Sequence, residues 1–295
     1  MRRRDLGLLA VGVVAVSTSG PLIREADAPA LAIASWRNLL ATAVLAVVVA
    51  VGRRRHGRVV VDPRDRRLTT IAGVLLAGHF ATWIPSIRLT TVASSVALVC
   101  TQPVWAAALA RRAGEPVGRR TWVGVVVAVA GVVVLSGVDL AVSGRALAGD
   151  ALALAGGALA AGYVRVGAEV RQSVPNSVYT LGCYGVAGVL LAVVCLGSGN
   201  DMAGFDAHTW WVIVALTVGP QLLGHSVFNK VLPDVGPTVV SVAILLEVVG
   251  AALLAWWWFD EVPSAAAIPA TALLLAGVGL VMVDARAPDL ADVPG

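Results

Sequence analysis

The chain has 295 residues, of which 58% are hydrophobic and 14% are charged. A soluble domain of this length does not need so much apolar surface, and the long continuous apolar runs lack the alternation of a transmembrane β-barrel strand. Composition therefore argues against a soluble protein and a barrel, and it indicates a membrane protein that crosses the bilayer as helices.

Ten apolar segments are long enough to cross a bilayer, for which about 20 residues suffice. They predict an all-α membrane protein with ten transmembrane helices and short loops, which leaves no room for a separate soluble domain. The predicted spans are residues 5–23, 30–51, 68–87, 90–110, 120–138, 149–168, 177–197, 208–228, 236–258 and 264–283.

The first span also resembles a secretory signal. A basic start precedes it, and the triplet Ala26-Asp27-Ala28 follows it, as at a cleavage site. The apolar stretch is long for a signal core, however, and Pro29 would follow the cleavage point. We therefore interpret residues 5–23 as an uncleaved membrane span.

Basic residues predict the orientation, because they accumulate in cytoplasmic loops. With the N-terminus in the cytoplasm, eighteen of the 22 Lys and Arg residues fall on the cytoplasmic side. Only Arg24, Arg88 and Arg145 fall outside, and Arg37 lies within a span. The sequence thus predicts an inner-membrane protein with both termini in the cytoplasm. Its net charge of +4 fits this topology and anionic lipid better than nucleic-acid binding.

Two stretches of the chain align at a constant offset of 146 residues: GHFATWIPSIRLTTV, which starts at Gly78, and GHSVFNKVLPDVGPTV, which starts at Gly224. The offset places His79 on His225. A histidine is costly in an apolar segment, so its recurrence at an equivalent position indicates one ancestral position used twice. The glycine beside each histidine predicts a close approach of neighbouring helices.

A glutamate follows each of these histidines after 36 residues, at Glu115 and Glu261. We interpret both glutamates as caps or loop contacts. The repeats are residues 1–146 and 147–295, with five predicted spans each, and together they form one transport domain. Because five is odd, the second repeat enters the membrane from the opposite side, an arrangement found in transporters.

These features resemble the EamA type of the drug/metabolite transporter superfamily. The segments that carry the resemblance are SVALVCTQPVWAAALARRAGEPVGRRTWVGVVVAVAGVVVL and GPQLLGHSVFNKVLPDVGPTVVSVAILLEVVGAALLAWWWFDEVPS. The resemblance covers essentially the whole chain. It implies a secondary-active transporter that exports a small organic solute (a metabolite, amino acid or drug-like compound) by alternating access. An importer or exchanger of the same fold, and a non-transporting membrane scaffold, remain as alternatives.

Glu247 is the sharpest candidate for a functional residue, because it lies near the middle of the predicted span 236–258. An acidic side chain there costs roughly 2.5–3.5 kcal/mol on insertion scales and usually faces protein or water. It can serve as a coupling site for a proton or cation, or it can form a structural hydrogen bond to another helix.

Arg37 and Asn38 form a second candidate pair, in the predicted span 30–51. Arginine keeps its charge and cannot relay protons, but it can anchor a substrate carboxylate or phosphate, or pair with an acidic residue. Alternatively, Arg37 extends toward the interface beside Trp36. We favour the cavity role, because Asn38 adds a second polar group.

The remaining cavity candidates are His79, His225, Gln102, Trp83 and Trp105. The two histidines can change charge near neutral pH, although a lone histidine in a helix is more often a packing residue. Gln102 can line a polar path or join helices. The two tryptophans can line a cavity that binds an organic substrate, or they can belong to the belt of aromatic residues at the membrane interface.

No motif supports an enzyme, a metal site or a cofactor. The chain lacks a Gly-rich phosphate loop, a nucleophile elbow and a His-Glu-x-x-His pattern, and its Cys, His and carboxylate residues lack the spacing of metal ligands. We therefore predict no catalytic residue, metal or cofactor. The expected partners are a small-molecule substrate, the lipid bilayer and a coupling proton or ion, with no nucleic acid and with a homo-oligomer left open.

Overall fold

The structure, a computed structural model, describes residues 3–57, 59–224, 227–228, 244 and 246–284. These residues form helices and short connections, and no β-strand occurs among them. A π-helical segment, Thr217–Gly224, continues α10. The helices are α1 (Arg3–Ser17), α2 (Ser19–Glu25), α3 (Ala30–His56), α4 (Pro63–Ser86), α5 (Val92–Val99), α6 (Gln102–Arg112), α7 (Arg119–Val142), α8 (Gly144–Val170), α9 (Asn176–Gly197), α10 (Ala207–Leu216), α11 (Leu246–Phe259) and α12 (Ala267–Asp284).

The helices follow the order of the predicted spans. Six segments are long and apolar enough to cross a membrane, and α11 and α12 contain shorter apolar stretches. The prediction of a helical membrane protein is therefore supported, whereas the count of ten crossings stays a prediction. The six segments are Arg4–Glu25, Ala30–Arg54, Pro63–Ser86, Val92–Arg112, Gly144–Val170 and Asn176–Gly197.

Prolines account for the three interrupted helices. A proline inside a helix cannot bind the carbonyl four residues earlier, and its ring clashes with that carbonyl. Here α1 ends at Ser17, α5 at Val99 and α10 at Leu216, and in each case a proline follows after four residues. The chain continues as helix α2, helix α6 and the π-helical segment, so each break falls inside a longer apolar stretch. The three prolines are Pro21, Pro103 and Pro220.

The two repeats pack against each other through pairs of helices. The main contacts join α7 to α12, α3 to α9, and α4 to α8, and α1 packs on the π-helical segment. The two repeated glycines contribute as predicted: a Cβ on Gly78 would lie 3.2 Å from Leu159 in α8, and one on Gly224 would lie 2.6 Å from Val16 in α1. Each glycine thus packs on the first apolar segment of the other repeat.

The contact between α7 and α12 is reciprocal. A Cβ on Gly131 would collide with the backbone of Leu274, and a Cβ on Gly277 would collide with the backbone of Ala128. Gly277 and Leu274 follow Gly131 and Ala128 at the repeat offset of 146 residues. If each residue is replaced by its equivalent in the other repeat, one contact becomes the other, as for residues related by a two-fold axis.

The contact between α3 and α9 has the same reciprocity. A Cβ on Gly188 would lie 3.1 Å from the backbone nitrogen of Leu39, and a Cβ on Gly185 would lie 3.6 Å from Cγ2 of Thr42. The offset of 146 residues relates Leu39 to Gly185 and Thr42 to Gly188. The contacts of α7 with α12 and of α3 with α9 are thus both related by the same exchange of the two repeats.

We predict that Gly277→Ala destabilises the protein, because the added methyl group must push α7 and α12 apart. The expected loss is about 1–3 kcal/mol, the usual cost of overpacking. Thermal unfolding of the purified protein in detergent measures it. Gly279→Ala is the matched control, since Gly279 lies on the same helix and its Cβ would meet nothing within 4 Å. Equal melting temperatures for the two variants would contradict the close packing of α7 on α12.

Candidate functional site

A cavity of about 610 Å³ lies between the two repeats. We call it the central cavity. Its walls come from α1 to α6, α8, α9, the π-helical segment and α11, so both repeats contribute. Its polar and ionisable side chains are Ser19, Arg37, His79, Cys100, Gln102, Tyr163, Arg171, Asn176, Tyr179, Thr180, Tyr184, Gln221 and Glu247.

Arg37 lies in α3 with only 1% of its surface exposed. Its Nε donates a hydrogen bond to Oε1 of Gln221 at 2.7 Å, and its guanidinium carbon lies 4.7 Å from the centre of the Phe80 ring. Its Nη1 is buried and has no hydrogen-bond partner among the described residues. The side chain is therefore held in the cavity wall and does not extend to the interface.

Asn38 lies behind this wall. It is fully buried, and it does not line the central cavity. Its Oδ1 accepts a hydrogen bond from Nε2 of Gln221 at 3.3 Å, and its Nδ2 donates to the carbonyl oxygen of Ala34 at 2.7 Å. Asn38 thus orients Gln221, and Gln221 in turn orients Arg37.

Glu247 lies near the start of α11, where it is half-buried and lines the central cavity. Its carboxyl group and the guanidinium of Arg37 interact electrostatically. The ion pairs of the described residues do not include these two groups. A guanidinium and a carboxyl group from different repeats therefore line one cavity without an ion pair between them.

His79 and Trp83 also line the central cavity. The Nδ1 of His79 lies 3.0 Å from the carbonyl oxygen of Gly156 in α8, and a carbonyl oxygen can only accept, so this nitrogen donates. The imidazole ring stacks on the Trp83 indole, with ring centres 5.5 Å apart. His79 thus joins α4 to α8 and also faces the cavity.

The remaining predicted residues differ in whether they line the central cavity. Gln102 lines the central cavity at the break between α5 and α6. Trp105, one turn further along α6, is 37% exposed and is not a lining residue. His225 lies outside the described residues. Among the described residues, no group of three His, Cys, Asp or Glu side chains could hold a metal ion.

Sequence reasoning missed the tyrosines. The chain has only three, and Tyr163, Tyr179 and Tyr184 all line the central cavity. Tyr163 and Tyr179 stack with ring centres 6.4 Å apart. Tyrosine combines an apolar ring with a polar tip that seeks a partner when buried. The restriction of so few tyrosines to α8 and α9 was a signal that could have identified them.

The central cavity reaches one end of the helix bundle. That end carries the connections 59–62, 113–118 and 171–175, and we call it the arginine-rich end. Arg171, which is exposed, and Asn176 line the cavity there. No described lining residue belongs to the connections at the opposite end, 26–29, 87–91, 198–206 and 260–266.

Glu261 holds three elements together at the opposite end. Its Oε2 lies 3.0 Å from Nη1 of Arg24, and its Oε1 accepts a hydrogen bond at 2.7 Å from the backbone nitrogen of Val92, the first residue of α5. We call these three groups the Glu261 latch. Arg88 adds a contact nearby, because its Nη2 donates to the carbonyl oxygens in the connection between α2 and α3.

Glu115, the repeat equivalent of Glu261, forms an ion pair with Arg165 at the arginine-rich end. The side chain of Glu115 is 50% exposed, whereas that of Glu261 is 14% exposed. The hydrogen bond from Arg165 keeps the pKa of Glu115 below its ordinary value. Equivalent glutamates thus pair with arginines of the other repeat at opposite ends of the bundle, in different surroundings.

Comparison with known proteins agrees with this architecture. A solved structure described only as "Crystal structure of protein" has a TM-score of 0.66 with the chain, covering 97% of this chain and 100% of that chain. At 18% sequence identity, the likeness shows the fold alone. No curated protein matches the chain. The model of the EamA-like transporter family matches twice, over residues 5–137 and 147–283, and the chain therefore belongs to the EamA-like transporter family.

Proposed function

We propose that this family member is a secondary-active transporter of the inner membrane, which exports a small organic solute by alternating access. The observation that carries the proposal is the central cavity of about 610 Å³ between the two repeats. Its size falls within the range of small-molecule sites. Its guanidinium, Arg37, and its carboxyl group, Glu247, come from different repeats, so a relative movement of the repeats changes the surroundings of both.

The reciprocal contacts support two inverted repeats of five membrane-spanning segments. Exchange of the repeats exchanges the contact of Gly131 with Leu274 and that of Gly277 with Ala128. In the proposed topology, an odd number of segments places equivalent residues on opposite faces of the membrane. Glu115 and Glu261 form their ion pairs at opposite ends of the bundle, as this topology requires.

The shape of the central cavity supports alternating access. In the proposed orientation, the arginine-rich end faces the cytoplasm, and the central cavity reaches that end. The Glu261 latch then lies on the outer face, where it joins α2, α5 and the connection after α11. We infer that this is the inward-facing conformation, and that the outward-facing one requires the Glu261 latch to separate.

Glu247 is the proposed coupling residue. A carboxyl group within the membrane can exchange a proton or bind a cation only where water or a solute reaches it, and the half-buried Glu247 meets that condition in the central cavity. Arg37 cannot take this role, because its charge is permanent. Import or exchange through the same cavity is the first alternative, and a scaffold without flux is the second.

We predict that cells producing the wild-type protein enrich at least one small organic compound in their medium, and that Glu247→Gln reduces this enrichment. The expected reduction is about tenfold, which corresponds to about 1.4 kcal/mol of lost stabilisation of a rate-limiting step. Untargeted metabolite analysis of matched cultures measures it, with an added panel of toxic amines and amino-acid analogues.

Glu169→Gln is the matched control, because Glu169 is an exposed carboxylate on α8. Cells that produce Glu169→Gln should enrich the same compound in their medium as cells that produce the wild-type protein, at equal membrane abundance. Full, pH-dependent export by Glu247→Gln would remove Glu247 from the coupling role. No enrichment by the wild type in any medium would contradict export, and uptake assays would then separate import from the scaffold.

We also predict that Glu261→Gln opens the outer side of the protein. Cys100 lines the central cavity and is a native reporter once the other two cysteines, Cys183 and Cys195, are replaced by alanine. A small, charged, membrane-impermeant thiol reagent added to intact cells should label Cys100 several-fold faster in Glu261→Gln than in the wild type, because the substitution removes the charge that holds Arg24.

Glu115→Gln is the control for this labelling, since it removes the equivalent carboxylate at the arginine-rich end. It should not accelerate labelling from outside. The rate of labelling in opened membranes, where the reagent reaches both faces, shows whether Cys100 keeps its reactivity. Equal rates in intact cells for all three proteins would contradict an outer closure formed by the Glu261 latch.

A further inference from the structure

We propose that the central cavity binds a small organic monocarboxylate, with the carboxylate on the guanidinium of Arg37 and an apolar or aromatic body against the aromatic side chains that line the cavity. The inference rests on the proposed transport function, because it names the class of solute. It is carried by Arg37, which lines the central cavity and whose buried Nη1 has no hydrogen-bond partner among the described residues.

A buried guanidinium needs an anion. Removing a charge from water costs several kcal/mol, even after the protein relaxes, and Arg37 is 1% exposed. Its hydrogen bond to Gln221 and its contact with Phe80 offset part of that cost, because both place electron-rich groups beside the cation. Neither contact uses Nη1, which has no partner among the described residues. An anionic oxygen is the strongest partner that this nitrogen can bind.

The guanidinium plane is already fixed. Gln221 binds Nε, Asn38 binds Gln221, and the Phe80 ring lies beneath the guanidinium. A solute carboxylate that binds the guanidinium therefore does not have to order the arginine side chain. Such preorganisation lowers the entropic cost of binding.

Glu247 limits the charge of the solute. Its carboxyl group interacts electrostatically with Arg37 from the same cavity. A carboxylate bound at Arg37 is neutralised by the guanidinium, but a second negative charge on the solute would lie near the Glu247 carboxyl group without a buried cation. The other arginine among the described lining residues, Arg171, lies at the exposed end of the cavity. Arg37 and Glu247 therefore favour a monocarboxylate over a dicarboxylate or a phosphate.

Aromatic side chains define the rest of the solute. Phe80, Trp83, Tyr163 and Tyr179 line the central cavity, and flat apolar surfaces of this kind pack well on aromatic or aliphatic groups. Tyr184, which interacts electrostatically with Arg37, can donate its hydroxyl to the same carboxylate. An uncharged apolar body attached to one carboxylate fits this combination.

Direct binding to the purified full-length protein tests the inference without any flux measurement. The probes are phenylacetate and indole-3-acetate, each with its amide, together with phenethylamine and phenylphosphonate. Binding is measured through the fluorescence of the protein's tryptophans and through thermal stabilisation. We expect at least one of the two carboxylates to bind about tenfold more tightly than its amide, because charge-assisted hydrogen bonds are roughly twice as strong as neutral ones.

Three variants test which residue causes the tighter binding of the carboxylate relative to its amide. Arg37→Gln should abolish the preference for the carboxylate over its amide. Glu247→Gln should strengthen carboxylate binding several-fold at alkaline pH, where the substitution removes a competing negative charge. Arg145→Gln is the matched control, since Arg145 is exposed near the start of α8 and does not line the central cavity, and it should keep the preference. If Arg37→Gln does not fold, the tighter binding in Glu247→Gln still tests the inference.

The inference is overturned if neither carboxylate binds, if the amides bind as tightly as the carboxylates, or if phenethylamine or phenylphosphonate binds best. It is also overturned if Glu247→Gln leaves carboxylate binding unchanged at alkaline pH as well as at neutral pH. The proposed function fails separately: carboxylates that bind to the purified protein but do not cross liposomes containing it would leave the site intact and contradict transport.

Discussion

A permanent charge buried in the helical bundle is the constraint on which the central cavity depends. Arg37 cannot lose its proton, so the fold must supply partners for its guanidinium. It does so with side chains from other helices: Gln221 from the π-helical segment and Phe80 from α4 make direct contact, and the Glu247 carboxyl group from α11 interacts with it electrostatically. These helices come from both repeats, and the charge therefore ties the two repeats to one site.

The duplication explains how two repeats of one chain can enclose such a site. Glycines at equivalent positions let α7 approach α12, two glycines of α9 let α9 approach α3, and each contact has its exchanged counterpart. Prolines four residues beyond Ser17, Val99 and Leu216 interrupt helices that border the central cavity. The close contacts stabilise the interface between the repeats. Near the helix breaks, the polar side chains of Ser19, Gln102 and Gln221 line the central cavity.

Much of this architecture could be predicted from the sequence, because apolar length and proline position act locally. Arg37, Glu247 and Gln102 could be predicted as lining residues, since a polar group in an apolar helix must face protein or water. Asn38 lies behind the cavity wall and Trp105 lies outside it, although the sequence predicts both as lining residues. A helix that is apolar on all sides does not show in its sequence which side faces the cavity. The tyrosines and the Glu261 latch depend on contacts between distant segments, which no local pattern records.

Counterflow in sealed liposomes that contain only the purified protein tests the central claim most directly. Liposomes are loaded with unlabelled phenylacetate, and labelled phenylacetate is supplied outside. The account predicts a transient, saturable accumulation of label with the wild-type protein, which is lost in Arg37→Gln and retained in Arg145→Gln. Binding of phenylacetate to the same protein without any accumulation would contradict alternating access and would favour a membrane scaffold.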